Sequence, residues 1–249
     1  MQPLVAHWMG RVPYREAWDL QKALAAARAD GRIGDRLLLL EHPPVLTLGR
    51  QADDAHVLAP EPMLETRGIE VIRVERGGEV TYHGPGQLVA YPIVKLADRE
   101  LYLREYVRAL EGAMADTCAA HGVAAGRRDG HPGCWVGVDG PLLRKIGALG
   151  VRVERGVTYH GIALNVTTDL ADFTLIDPCG MPGLRSTSIA AELGRRAEPP
   201  STASVEAAAH VFAPALAERL GAPLVWSAAD PRGAPDDARA AAEAAWSPR

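Results

Sequence analysis

The sequence predicts an α+β fold, a mixed and largely antiparallel β-sheet flanked by helices. One domain is expected over residues 1–229, with a flexible tail at 230–249. Three observations carry this. Strand-like segments come in hairpin-like groups interrupted by helices, without the regular alternation of a doubly wound parallel sheet. Three stretches carry apolar residues at helical spacing. The composition of the 249 residues, 47% hydrophobic and 23% charged, is that of a globular chain, which excludes disorder for most of it.

The first helix is read over Tyr14–Ala29, stopping at Asp30-Gly31. A compact apolar run, Arg36–Glu41, closes at His42-Pro43-Pro44 and reads as a buried strand, followed by another over Val45–Arg50. Ile69–Arg76 alternates apolar and polar residues and breaks at Gly77-Gly78, so a strand feeds a glycine turn. Gly86–Lys95 is again strand-like. A long helix is expected over Arg99–His121, with Leu101, Leu103, Val107, Leu110 and Met114 on one face and Gly122 beyond its end. Gly133–Val138 and Lys145–Val153 read as a strand pair around the turn Asp139-Gly140-Pro141. Another strand is expected over Gly161–Val166, and a last helix over Glu206–Leu220. From Asp230 onward the chain is rich in Ala, Asp and Pro and shows little pattern.

A net charge of −4 is too mild to point to nucleic acid or a membrane surface. The longest apolar runs fall far short of a membrane span. The first residues show no basic stretch leading into an apolar one, so a cytoplasmic location is expected. Three cysteines without a CxxC spacing argue against a disulfide framework. Only three lysines stand against 24 arginines, so a lysine inside a glycine-flanked motif hints at a group that must titrate.

Thr-Tyr-His-Gly occurs twice, beginning at Thr81 and again 77 residues later at Thr158, each time shortly after Arg-Gly. The flanks diverge at once, which argues against a duplicated domain. A metal held by His83 and His160 would need a third and fourth ligand from afar, so no metal is expected. The first copy lies in Arg76–Gly86, whose four glycines and one proline let a backbone approach a ligand; a tight hairpin is the alternative. No GxxxxGK[ST] or GxGxxG is present, so a nucleotide phosphate cradle has no support. Lys145 opens an apolar strand punctuated by glycines, where desolvation favours a neutral amine able to act as a base; an edge lysine reaching solvent is the alternative. Gly161 and Ala163 alternate on one strand face and would leave a slot suited to a linear alkyl chain, with Ile162 and Leu164 facing the other way. Cys118 and Cys134 fit buried structural thiols. Cys179, between Pro178 and Gly180, instead reads as a thiol on an accessible turn, the setting of a nucleophile.

Taken together, RGGEVTYHGPGQLVAYP, RKIGALGV, GVTYHGIALNV and DPCG followed by STSI resemble the octanoyltransferases of lipoate biosynthesis, also called lipoate-protein ligase B. The four stretches span Glu41 to about Leu193. The resemblance implies a biotin/lipoate ligase-like fold and transfer of octanoyl from acyl carrier protein to a lysine of lipoyl domains, those of 2-oxoacid dehydrogenases and the glycine cleavage H protein. It implies Cys179 as nucleophile and Lys145 as its paired base. The substrate-contacting segments fall on Arg76, Gly77, Gly78, Glu79, Val80, Thr81, Tyr82 and His83, on Ala148, Leu149 and Gly150, and on Gly161, Ile162 and Ala163. His160 and Asn165 are expected to hydrogen-bond behind the pocket wall. Leu149 stands where the family often has Ile, and Cys134 is an unexpected cysteine that adds a possible second reactive thiol.

No ATP and no metal cofactor is expected, because exchange between thioesters is nearly thermoneutral and the amide product is more stable. Arg76, Arg144, Arg152 and Arg155 are expected to help dock acidic carriers, and the protein is expected to act as a monomer. The alternatives are an ATP-dependent lipoate or octanoate ligase and a non-catalytic acyl- or lipoyl-binding module.

Overall fold

A computed structural model describes residues 2–140, 142–178, 183–195 and 204–232. Eight strands build the main sheet, in the order β11-β1-β2-β6-β10-β9-β8-β7. They are β1 (Leu4–Arg11), β2 (Arg36–Glu41), β6 (Gln87–Ile93), β7 (Gly126–Arg128), β8 (His131–Val136), β9 (Arg144–Glu154), β10 (Val157–Asn165) and β11 (Leu224–Trp226). β1 runs parallel to both β2 and β11, and every other neighbour is antiparallel. A second sheet, absent from the sequence-based expectation, sets β3 (Val45–Leu48) between β4 (Glu70–Arg73) and β5 (Val80–His83).

Alternation along the central strands explains the layers. Leu37, Leu39, Leu88, Ala90, Ile162 and Leu164 turn to one face and pack against α3 (Leu103–Ala120) and α5 (Val205–Arg219). Leu38, Leu40, Val89, Tyr91 and Tyr159 turn to the other face, beneath α1 (Tyr14–Ala29). The short α2 (Glu61–Thr66) covers the small sheet, whose core is Leu46, Leu48, Val80 and Tyr82. A last short helix, α4 (Ile189–Arg195), precedes α5.

Several expectations need correction. The long helix starts at Leu103, not Arg99, and Leu103 itself is 46% exposed. Its buried stripe is instead Tyr106, Leu110, Met114, Thr117 and Cys118. The second TYHG does not precede a strand but lies inside β10, which begins at Val157. The first TYHG is not simply the end of a turn, since Thr81–His83 form the end of β5. Cys134 offers no reactive thiol: it is fully buried beside Cys118, and that contact, together with burial, pushes the Cys118 thiol far above its ordinary range. No helix among the described residues is long and apolar enough to cross a membrane.

Candidate active site

A cavity of about 480 Å³ opens between the β9–β10 face of the main sheet and the segment 76–83 leading into the small sheet. Thr81 and His83 of the first TYHG and His160 and Gly161 of the second line it together, with Lys145. Arg76, Gly77, Gly78, Glu79 and Val80 line it too, as do Ala148, Leu149, Gly150, Ile162 and Ala163. Tyr82 does not: its ring packs on Phe173, of the 3-10 turn at 170–175 beside the small sheet, and its hydroxyl donates to Asp172 at 2.8 Å. Cys179 lies outside the described residues. Of its flanks, Pro178 and Gly183 line a neighbouring cavity of about 430 Å³.

Glycines bring the walls together by letting backbone meet backbone. A Cβ on Gly49 would stand 2.2 Å from the Gly78 carbonyl oxygen, and one on Gly150 would stand 2.6 Å from that of Gly77. The closeness is used, for Gly77 N–H donates to the Val151 carbonyl at 3.1 Å. Gly161 is a correction of the same kind. Its missing Cβ would strike the Ala90 carbonyl oxygen at 2.1 Å, so the glycine is demanded by strand packing as well as by the slot. Just before it, His160 adopts a left-handed φ of 55°, a conformation costly for any residue with a side chain. Its N–H is met by the buried Gln21 Oε1 of α1 at 2.7 Å.

Lys145 reaches the cavity through a bulge. Cys134 pairs with Gly147, but Trp135 pairs with Lys145, so Ile146 is the extra residue. Without the bulge, Lys145 would share the face of Gly147, whose missing Cβ points at Met114 in the core. With it, Lys145 stands opposite Trp135 on the cavity side, 8% exposed, and Nζ donates to the Pro132 carbonyl at 3.2 Å. Its backbone is bracketed by residues 185–187, which follow the DPCG motif in sequence. Lys145 N–H donates to Arg185 O and Thr187 N–H donates to Lys145 O, both at 2.9 Å.

A buried hydrogen-bond chain fixes the rest. Asn165 Nδ2 donates to Thr187 O at 2.9 Å, and Asn165 Oδ1 accepts from Gln87 Nε2 at 2.9 Å. Because Gln87 Nε2 also donates to Tyr82 O, its Oε1 must accept from His83 Nδ1 at 2.8 Å. That leaves His83 Nε2 to accept from Thr47 Oγ1, which itself accepts from Arg76 Nη2 at 2.9 Å. Asn165 therefore stands behind the cavity wall, and so does His42, whose Nδ1 donates to Val12 O and whose Nε2 accepts from the Tyr91 hydroxyl at 2.8 Å.

Burial pushes all three imidazoles below their ordinary range, His42 to about 4, His83 well below it with help from Arg76, and His160 less. Partial burial alone would raise the Glu75 carboxyl, but the neighbouring His160 ring and Trp18 Nε1 outweigh it and hold Glu75 at about 2. With both His83 nitrogens committed, Lys145 is the residue that brings an amine to the cavity wall. Among the described residues no group of three or more His, Cys, Asp or Glu side chains gathers as a metal site.

Of the arginines expected to dock a carrier, Arg155 alone is well exposed, its side chain 59% accessible. Arg76 is buried, with Nη2 on the Thr47 carbonyl at 2.6 Å. Arg144 forks onto Glu192 at 2.8 and 3.0 Å, and Arg155 pairs with Asp30 at 2.8 Å. Arg152 Nε is buried with no hydrogen-bond partner among the described residues. Sequence reasoning missed Tyr14, Tyr91, His131, Pro132 and Trp135 on the cavity wall. For Trp135 a signal existed: an aromatic strand residue two after a glycine, beside the strand that opens with Lys145.

The Lipoyl protein ligase A/B catalytic domain model matches residues 13–214. An octanoyltransferase of Chloroflexus aurantiacus is 49% identical over 196 residues, which cover 78% of this chain and 86% of that protein. One from Acidobacterium capsulatum is 50% identical over 193 residues, covering 74% of this chain and 78% of the relative. A solved structure of a putative lipoate protein ligase from T. acidophilum has a TM-score of 0.65 at 15% identity, covering 98% of this chain and 94% of its own. Another, lipoate-protein ligase A bound with ATP, has a TM-score of 0.67 at 16% identity, covering 98% and 95%. At those identities the two structures establish the fold, that of the lipoate-protein ligases. The matched domain and the close relatives together place this chain in the lipoyl protein ligase A/B catalytic-domain family and, within it, among the octanoyltransferases, acyltransferases of lipoate biosynthesis.

Proposed function

We propose that this octanoyltransferase takes its acyl group from the thioester of octanoyl acyl carrier protein and passes it, through a thioester on Cys179, to a lysine of lipoyl domains. The acceptors would be the lipoyl domains of 2-oxoacid dehydrogenases and the glycine cleavage H protein. The observation that carries the reading is the placement of Lys145. Its amine lines the acyl-sized cavity, and its backbone is bracketed by residues 185–187, a few positions beyond Cys179.

In the first half-reaction the Cys179 thiol proton passes to Lys145 Nζ, and the thiolate attacks the octanoyl carbonyl. The tetrahedral intermediate collapses with loss of the carrier's phosphopantetheine thiolate, which takes a proton back from Lys145. In the second half the acceptor lysine attacks the new thioester as a free amine, Lys145 takes its proton, and the Cys179 thiolate leaves. Thioester exchange followed by amide formation runs downhill, so neither ATP nor a metal enters. The walls formed by Ala148–Gly150 and Gly161–Ala163 would hold the alkyl chain away from water. The enzyme would work as a cytoplasmic monomer.

Intact-mass measurement after incubation with octanoyl acyl carrier protein tests the reading. One octanoyl adduct is expected on the wild type and none on Cys179→Ser, without added ATP. An adduct that persists in Cys179→Ser rejects the nucleophile. The absence of any adduct together with ATP-dependent use of free octanoate points to a ligase, and tight carrier binding without an adduct points to a binding module.

A further inference from the structure

Lys145 is gripped by a segment to which the proposed chemistry assigns no task, His131–Trp135 of β8. Its Nζ stands 4.9 Å from the centre of the Trp135 ring, over the indole face. The Pro132 carbonyl accepts from Nζ at 3.2 Å. Gly133, at a φ of 135°, lets the lysine stem lie flat: a Cβ there would stand 2.8 Å from Lys145 Cε and 2.6 Å from Gly147 O. We propose that Trp135 is a positioning residue for acyl transfer, its ring face and the Pro132 carbonyl forming a cradle that favours the ammonium form of Lys145 beside the reacting thiol. The proposal rests on the reading of Lys145 as the proton carrier for Cys179.

The cradle is built rather than incidental. Trp135 is 1% exposed, and its Nε1 donates to His131 O at 3.0 Å, which curls the segment so that the intervening Pro132 carbonyl meets the amine. Gly133 N–H donates to the buried Glu111 carboxylate at 3.0 Å, pinning the same segment to α3. The β9 bulge at Ile146 then sets Lys145 directly across from Trp135. An indole face attracts a cation, and more strongly where water is excluded. A neutral amine gains little from the same face, so the contact discriminates between the two states that the reaction interconverts.

Two readouts test this on the full-length enzyme. Only three lysines exist, so labelling their ε-carbons gives three resonances, and Lys145→Met assigns the one of interest. Its ε-methylene should be shifted upfield by the indole ring current in the wild type and in Trp135→Phe, and unshifted in Trp135→Leu. The second readout is the pH profile of octanoyl transfer. Trp135→Phe should retain the acidic limb, whereas Trp135→Leu should move it down by about one pH unit, equal to about 1.4 kcal/mol of cation–ring attraction. Should Trp135→Leu not fold, a ring-fluorinated tryptophan placed at 135 keeps the volume while weakening the face, and the same downward shift is expected. An unshifted Lys145 resonance in the wild type overturns the cradle. An unmoved limb in an active, folded Trp135→Leu or fluorinated enzyme makes Trp135 merely structural. A wild type that forms no octanoyl adduct sinks the reading of function instead and leaves the resonance test standing.

Discussion

Asn165 reaches from the end of β10 to the carbonyl of Thr187, donating through Nδ2 at 2.9 Å, while Thr187 N–H is bonded to Lys145 O. One buried amide thus ties the strand that floors the cavity to the segment that brackets the base. Asn165→Ala removes both side-chain bonds and leaves the Thr187 carbonyl without that donor, a loss of about 2–4 kcal/mol. For a chain of this size that corresponds to a melting point lower by roughly 5–10 °C. Asn165→Asp should be worse than Asn165→Ala despite its matching shape, because a carboxylate oxygen would then face the Thr187 carbonyl. A melting series that ranks Asp above Ala would reverse the orientation assigned to this amide.

How far the sequence reached differs from element to element. α1, β2 and α5 were legible because their apolar patterns are set by burial on one side or both. β11 and β5 were not: three and four residues long, they are strands only because β1 and β3 hold them, a tertiary cause with no local pattern. The start of β10 was hidden for a different reason, since the positive φ at His160 and the glycine after it read locally as a break. In the site, residues in recognisable motifs were found, and of those the structure describes all but Tyr82 fall on the cavity wall or directly behind it. Trp135 and Tyr91 escaped because their presence there depends on strand register, and for Trp135 the bulge at Ile146 shifts that register by one.

The glycines at the loop crossing should be intolerant in a graded way. Gly150→Ala forces a methyl against the Gly77 carbonyl at 2.6 Å, and Gly49→Ala forces one against Gly78 O at 2.2 Å. Backbone cannot swing aside as a side chain can, so each should cost about 1–3 kcal/mol and displace the 76–79 wall. Transfer should slow on the order of tenfold or more, since each 1.36 kcal/mol lost from the transition state is tenfold in rate. Gly126→Ala, with nothing within 4 Å of the added atom, should leave melting and rate unchanged. Equal activity for Gly150→Ala and Gly126→Ala would show that the close crossing does not shape the cavity.

The buried imidazoles give the protein an acid limit. His42, His83 and His160 have folded-state affinities for protons below the ordinary 6.5, with His42 at about 4, and burial is the main cause in each. The unfolded chain therefore binds more protons than the folded one between about 6.5 and 4, and stability falls as pH drops through that window. His42 alone would lose on the order of 3 kcal/mol, taking 1.36 kcal/mol per unit over its shift. Glu75, held at about 2, adds a separate loss that begins only below its ordinary value of 4.5. Melting temperatures measured from pH 8 to 4 should hold nearly level to about 6.5 and then fall. His42→Gln has no imidazole to protonate there, so it should start less stable at pH 7.5 and lose less between 6.5 and 4. A parallel decline in wild type and His42→Gln would mean that His42 is not a group through which acid unfolds this protein.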